Sequence, residues 1–148
     1  MTQEEKDIIY RDACGRILYK PYAAYEFEGE LIQVQITGME GEEPTRSFYG
    51  YSFDTWGHIP HDNVKLYLRP MSSMTKEEED ELDKKDKESS RIFFDDLFER
   101  KKKEGKENLK GFVPDYPTLD WLNQHHFDYR DLIKKGLALE APKDMYKL

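Results

Sequence analysis

The sequence predicts an α+β fold made of an N-terminal helix, a small antiparallel sheet of four to five strands and a helical C-terminal part. A capping motif with helical spacing lies at Thr2–Cys14, apolar residues alternate with polar ones from Arg16 to Pro70, and helical spacing returns afterwards. The sheet could be open or curled into an SH3-like barrel. We expect one α+β domain over 1–148, with the β-rich body at 1–70 and a charged helix, a basic connector and a helical tail at 71–148.

The composition narrows the class of protein. The chain has 148 residues and a formal net charge of −8, which argues against a non-specific nucleic-acid binder because phosphate contacts need a basic surface. The one cysteine, Cys14, can form neither an intramolecular disulfide nor a thiolate metal site. No apolar run reaches the ~20 residues of a membrane span. Since the first residues do not have the pattern of a signal peptide, we expect a cytoplasmic protein that needs no cofactor.

The segment Thr2–Cys14 is predicted to be a helix that lies against the sheet. Thr2 and Glu5 have the spacing of a capping box, and Gly15 would end the helix. Tyr10 and Cys14 fall on one face at helical spacing. Cys14 is therefore expected to be a buried structural thiol rather than a nucleophile paired with a histidine.

Short alternating segments predict the strands. Gly50 lies inside one of them and indicates a β-bulge or a close backbone approach. The stretch Trp56–Pro60 is interpreted as a turn that leads into the last strand. The predicted strands are Ala23–Phe27, Leu31–Ile36, Arg46–Phe53 and Val64–Leu68.

After Pro70 the sequence predicts a second helix with little to bury. Thr75 and Glu78 form another capping box, and Leu82 is the apolar residue of a segment that is otherwise charged. This favours a solvated helix over a functional acidic patch. Apolar residues at helical spacing return at Ile92–Phe98, before the basic connector.

The tail, YPTLDWLNQHHFDYRDLIKKGLAL, has the most specific residue pattern of the chain. Thr118 is predicted to cap one short helix, and Asp128 a second one that ends at Gly136. We expect its aromatic residues to be core, while the alternative is a partner surface, since Trp and Tyr dominate interface hot spots. The candidate partner-binding residues are Trp121, His125, His126, Phe127 and Tyr129 in the tail and Glu77, Glu78, Glu79 and Glu81 in the charged helix.

Two other kinds of site have weaker support, and no catalytic residue is predicted. A nucleic acid could bind the basic run Arg100, Lys101, Lys102, Lys103, Lys106 and Lys110, although the run lacks interleaved aromatics. A metal-dependent hydrolase could use the pairs His58 with His61 and His125 with His126, since a zinc site would need one histidine from each pair and an acid such as Asp62 or Asp128. Adjacent histidines on a helix point about 100° apart, however, so we expect His125 and His126 to meet free carbonyl groups at a helix end, and His58 and His61 to flank a turn.

The blocks LYLRPMSSMT (Leu66–Thr75) and DWLNQHHFDYRDLIKKGLALEAP (Asp120–Pro142) resemble a family of small uncharacterised proteins, and KDIIYRDACGR (Lys6–Arg16) is a looser match. The resemblance implies carriage by phages and mobile elements of Bacteroides-type gut bacteria, and no functional residue carries over. With the acidic composition, it predicts a non-enzymatic accessory protein that acts by contact with a host or phage protein. Inhibition of a host defence protein is one form that such contact could take.

Overall fold

The computed structural model describes residues 1–41, 47–52, 55–59, 63–88 and 116–146. Along these residues a helix comes first, most of the strands follow, and further helices come after them. This order confirms the predicted fold class. Short 3₁₀ turns lie at Ile17–Tyr19 and Met71–Ser73. The helices are α1 (Gln3–Arg16), α2 (Lys76–Glu88) and α3 (Tyr116–Gln124), and the strands are β1 (Tyr22–Phe27), β2 (Glu30–Glu40), β3 (Ser47–Ser52), β4 (Thr55–Ile59), β5 (Lys65–Pro70), β6 (Phe127–Asp128) and β7 (Ala138–Glu140).

The described strands form one mixed sheet in the order β4-β3-β2-β1-β5-β6, and β7 also pairs with β5. The β1 to β5 pairings are antiparallel, whereas β6 and β7 run parallel to β5. Among the described strands, β4 pairs with β3 alone, so these strands form an open sheet rather than a closed barrel. The interpretation of Trp56–Pro60 as a turn was wrong, because Thr55–Ile59 pairs with β3 along its whole length. Strands β6 and β7 were not predicted from the sequence.

Helix α1 packs on one face of the sheet, and the capping box of Thr2 and Glu5 is present as predicted. Gly15 does not end α1, which continues to Arg16. A Cβ atom at Gly15 would lie 2.8 Å from Nδ2 of Asn123, so this glycine permits the close approach of α3. The expected burial of Cys14 was also wrong: its thiol is exposed, because successive helical residues point about 100° apart and the residue before it faces the sheet.

A second apolar cluster joins α2 to the tail. Leu82 is 0% exposed and packs with Trp121, Leu122, Phe127 and Tyr129. The predicted capping box of α2 has both of its hydrogen bonds: the Thr75 N–H donates to the Glu78 carboxylate, and the Glu78 N–H donates to the Thr75 hydroxyl. Trp121, Phe127 and Tyr129 are therefore core, as the sequence favoured.

The predicted caps of the tail need correction. Helix α3 begins at Tyr116, so Thr118 lies inside it and does not cap it. The Asp128 carboxylate does accept the backbone N–H groups of Leu132 and Ile133, at 2.9 and 3.0 Å. The residues that follow form turns rather than a second helix, and Gly136 has φ of 75° there.

Gly50 marks a close backbone approach, one of the two alternatives that the sequence suggested. A Cβ atom at this position would lie 2.0 Å from the Gln35 carbonyl oxygen, and the register of β2 and β3 shifts just beyond Ile36.

We expect Gly50→Ala to lower the free energy of unfolding by about 1–3 kcal/mol, since the strands must separate to admit the methyl group. Urea denaturation would measure it. Gly57→Ala is the matched control, because a Cβ atom at that position would meet nothing within 4 Å, and an equal cost for both variants would contradict the account.

Candidate functional site

A buried polar cluster joins α1 to the tail. The Arg16 side chain is 0% exposed; its Nε and Nη2 atoms donate to the Asp12 carboxylate at 2.9 and 3.2 Å, and Nη2 also donates to the Phe127 carbonyl at 2.6 Å. Burial alone would lower the pKa of Arg16, but Asp12 and its other acidic neighbours hold that pKa above the ordinary value. Arg130 lies 3.6 Å from the Asp12 carboxylate. The cluster holds the tail to α1 by charge-assisted hydrogen bonds.

His126 forms the other side of this cluster. It follows α3 with φ of 60°, it is 3% exposed, and its ring stacks on Tyr146 at 3.7 Å between centroids. The Tyr146 hydroxyl accepts from the Tyr22 N–H at 2.7 Å and donates to the Tyr67 carbonyl at 2.8 Å, which ties the last described residues to β1 and β5. Burial and the positive charges of Arg16 and other basic neighbours lower the pKa of His126 to about 3. The ring is therefore neutral at neutral pH.

This burial predicts a loss of stability in weak acid. The pKa of His126 is about 3 in the folded protein, against 6.5 for a histidine free of such surroundings, so the unfolded chain binds more protons between these values. The free energy of unfolding should fall by about 1.4 kcal/mol per pH unit below pH 6.5 through this residue, or about 2 kcal/mol by pH 5. Urea denaturation across this range, on the protein and on His126→Asn, measures the difference in slope. Asparagine tolerates the positive φ and does not titrate. Equal slopes for the two proteins would contradict the account.

The acidic candidates on α2 divide into two groups. Glu77 and Glu81 are exposed, whereas Glu78 is half-buried and forms two hydrogen bonds of 2.7 Å with the Arg69 guanidinium. The Arg69 guanidinium lies over the Phe127 ring at 4.2 Å. Lys76 lies 3.9 Å from the Glu79 carboxylate and 3.2 Å from that of Asp80. Glu78 therefore fastens α2 to β5 and is not available to a partner.

The histidine candidates do not converge. His58 lies exposed on β4 and not in a turn, His126 is buried, and His61 lies outside the described residues. His125 stacks on Trp121 at 3.9 Å, and its Nδ1 atom lies 2.9 Å from the Trp121 carbonyl oxygen, as expected for a helix end. Within the described ranges, no group of three or more His, Cys, Asp or Glu side chains could hold a metal ion. The metal alternative therefore has no support in these ranges.

Trp121, His126, Phe127 and Tyr129 are too enclosed to form the partner surface. Trp121, Phe127 and Tyr129 are 3%, 0% and 6% exposed, and His126 is equally enclosed. These side chains fill the second apolar cluster and the buried polar cluster, so a partner could reach them only if the tail unfolded. The segment Ile92–Phe98 and the basic run Arg100–Lys110 lie outside the described residues.

An exposed aromatic group instead lies on the sheet face opposite α1. We call it the aromatic face and define it as Tyr49 and Tyr51 on β3 with Trp56 and His58 on β4, which pair directly across the two strands. Trp56 is 56% exposed and Tyr51 is 48% exposed. This face was not predicted from the sequence. The signal was the alternation FYGYS, which places both tyrosines on one side of a strand.

The indole of Trp56 is held in place although it is exposed. Its ring stacks on Tyr49 at 5.5 Å between centroids, and its Nε1–H donates to the Thr37 hydroxyl of β2 at 3.1 Å. The Tyr49 hydroxyl donates to the Glu40 carboxylate, and this hydrogen bond raises the pKa of Tyr49. His58 contacts the Tyr49 ring edge-on. One face of the indole is thus fixed against the sheet while the other meets solvent.

The comparisons with known proteins give no match, whether to a protein-family model, to a curated protein or to a solved structure. None of the helices in the described ranges is long and apolar enough to cross a membrane.

Proposed function

We propose that the protein is a non-enzymatic accessory protein of phages or mobile elements, and that it acts by binding a host or phage protein through the aromatic face. The observation that carries this proposal is the exposure of Trp56 and Tyr51 on adjacent strands. Trp and Tyr are enriched among residues that dominate binding energy at protein interfaces. The acidic surface would favour a basic partner, and inhibition of a host defence protein is one form of the proposal.

The fixed orientation of Trp56 supports a binding role. An aromatic side chain that is already held by stacking on Tyr49 and by the Thr37 hydrogen bond loses little conformational entropy on binding. An unconstrained side chain would lose about 0.5–1.5 kcal/mol of conformational entropy on immobilisation, and Trp56 avoids most of this cost.

The charge of the aromatic face favours a protein over a nucleic acid. Strands β3 and β4 contain no Lys, Arg, Asp or Glu over Ser47–Ser52 and Thr55–Ile59. Among the described residues, the acidic Glu40 contacts the face through the hydroxyl of Tyr49. Stacking platforms for single strands combine their aromatics with a basic groove, which the described part of this face does not provide.

Photo-crosslinking from the aromatic face would test the proposal. With a photoreactive phenylalanine derivative at Tyr51, in cells that naturally make the protein, we expect one discrete adduct with a second protein. The same derivative at Leu18, which is 85% exposed and lies outside the face, should not give that adduct. Adding Trp56→Ala to the Tyr51 variant should remove the adduct while the free energy of unfolding changes by less than about 1 kcal/mol.

Two results would contradict the proposal. One is an identical adduct pattern from positions 51 and 18, which would indicate non-specific contact. The other is the absence of any adduct from position 51 when the variant is made at the normal level and is folded.

A further inference from the structure

Strand β4 ends the sheet with one edge that no other described strand occupies. An edge strand presents unpaired N–H and C=O groups, and proteins commonly protect such edges with Lys, Pro, bulges or short length. Strand β4 has 5 residues, TWGHI, with neither Lys nor Pro, and its pairing with β3 has no register shift. The edge is therefore suited to accept another strand.

We propose that the partner adds an extended segment to the edge of β4, and that this segment alternates apolar residues with Lys or Arg. This inference rests on the proposed function and specifies the partner segment. Main-chain hydrogen bonds to β4 would supply affinity, and alternate side chains would supply specificity.

The two faces of β4 determine the chemistry of the added strand. Ile59 is 4% exposed and pairs with Phe48 on the α1 side, so side chains that continue this face should be apolar. On the opposite face the added side chains would lie beside Trp56 of β4, whose exposed ring leans over Tyr49 of β3 toward Thr37 of β2. A cation over an indole ring is favourable, and neither β3 nor β4 contains a Lys or Arg that would repel it.

The whole-chain charge favours the same occupant. A formal net charge of −8 attracts a basic segment and repels a second copy of this chain. A second copy added edge to edge is therefore the outcome that the test must separate from a basic partner.

The test uses a short acetylated peptide that alternates lysine and valine as the probe, with NMR of the full-length protein. We expect shifts of the Thr55–Ile59 amides and of the Trp56 indole N–H, and weaker binding as salt increases. The matched glutamate–valine peptide should bind at least roughly tenfold more weakly. Equal shifts by both peptides, or shifts confined to residues outside β4, would overturn the inference. Self-pairing at β4 would also overturn it and would appear as concentration-dependent shifts without peptide.

Proline variants locate the binding edge. In an antiparallel pair, successive residues alternate between bonding the neighbouring strand and pointing away from it. Of Gly57→Pro and His58→Pro, the variant whose lost N–H points outward should keep its fold, because proline is tolerated there, yet bind the peptide roughly threefold to tenfold more weakly. If the variant that keeps its fold binds like the unchanged protein, the inference falls. If position 51 still gives its adduct in that case, the proposed function stands without it.

Discussion

Replacing Arg16 by methionine is expected to lower the free energy of unfolding by about 3–5 kcal/mol, because the change leaves a buried charge uncompensated. Asp12, like Arg16, has 0% side-chain exposure, and its carboxylate would lose both guanidinium hydrogen bonds. The Phe127 carbonyl would lose its Arg16 donor at the same time. Arg130, at 3.6 Å, can compensate Asp12 in part, which places the expected value toward the lower end of the range.

Urea denaturation of four variants would test this prediction. Arg11→Met changes an exposed arginine on the same helix and should cost within about 0.5 kcal/mol. Arg16→Lys should recover little, since an ammonium cannot reproduce the paired guanidinium contacts. The double variant Asp12→Asn with Arg16→Met should be more stable than Arg16→Met alone, because the unpaired charge is gone. Similar stability of the Arg16→Met and Arg11→Met variants would contradict a structural role for the cluster.

Trp121→Ala is expected to cost about 3–5 kcal/mol, the range for deleting a large buried aromatic side chain. Its ring is stacked with His125 at 3.9 Å and with Phe127 at 5.9 Å, and it packs against Leu82. The deletion would leave a cavity between α2, α3 and β6, and a packed interior closes such a cavity only in part.

Trp56→Ala provides the matched control for the same chemical change. Trp56 is 56% exposed against 3% for Trp121, so its deletion should cost less than about 1 kcal/mol and leave the thermal unfolding midpoint nearly unchanged. Comparable costs for the two variants would show that the tail is not the core, or that the aromatic face is covered.

The sequence was sufficient where structure depends on nearby residues. Both capping boxes, at Thr2 with Glu5 and at Thr75 with Glu78, formed as predicted because each needs a hydroxyl and a carboxylate three positions apart. The alternation in β1, β2 and β5 also indicated the sheet, since strands with one buried face carry a period of two.

Features that depend on residues far apart in the chain were not predictable. A Cβ atom at Gly15 would meet the Asn123 side chain, and the buried Arg16 donates to the Phe127 carbonyl, so α1 alone suggests a helix stop and gives no sign of the buried cluster. The residues around Gly57 are typical of a turn, so the sequence did not indicate β4. The strand forms because each of its residues pairs with a residue of β3. Trp56 was placed in a turn, and only the pairing of β4 shows that it belongs to an exposed face.

The central claim is that Trp121 is core and Trp56 is the accessible anchor, and iodide quenching of tryptophan fluorescence tests it most directly, because the chain contains 2 tryptophans. Each is isolated by replacing the other with phenylalanine. We predict that Trp56, in the Trp121→Phe variant, emits at long wavelength and is strongly quenched. Trp121, in the Trp56→Phe variant, should emit at shorter wavelength and be protected from iodide until the protein is unfolded. Equal quenching of the two residues in the folded variants, or stronger quenching of Trp121, would contradict the claim.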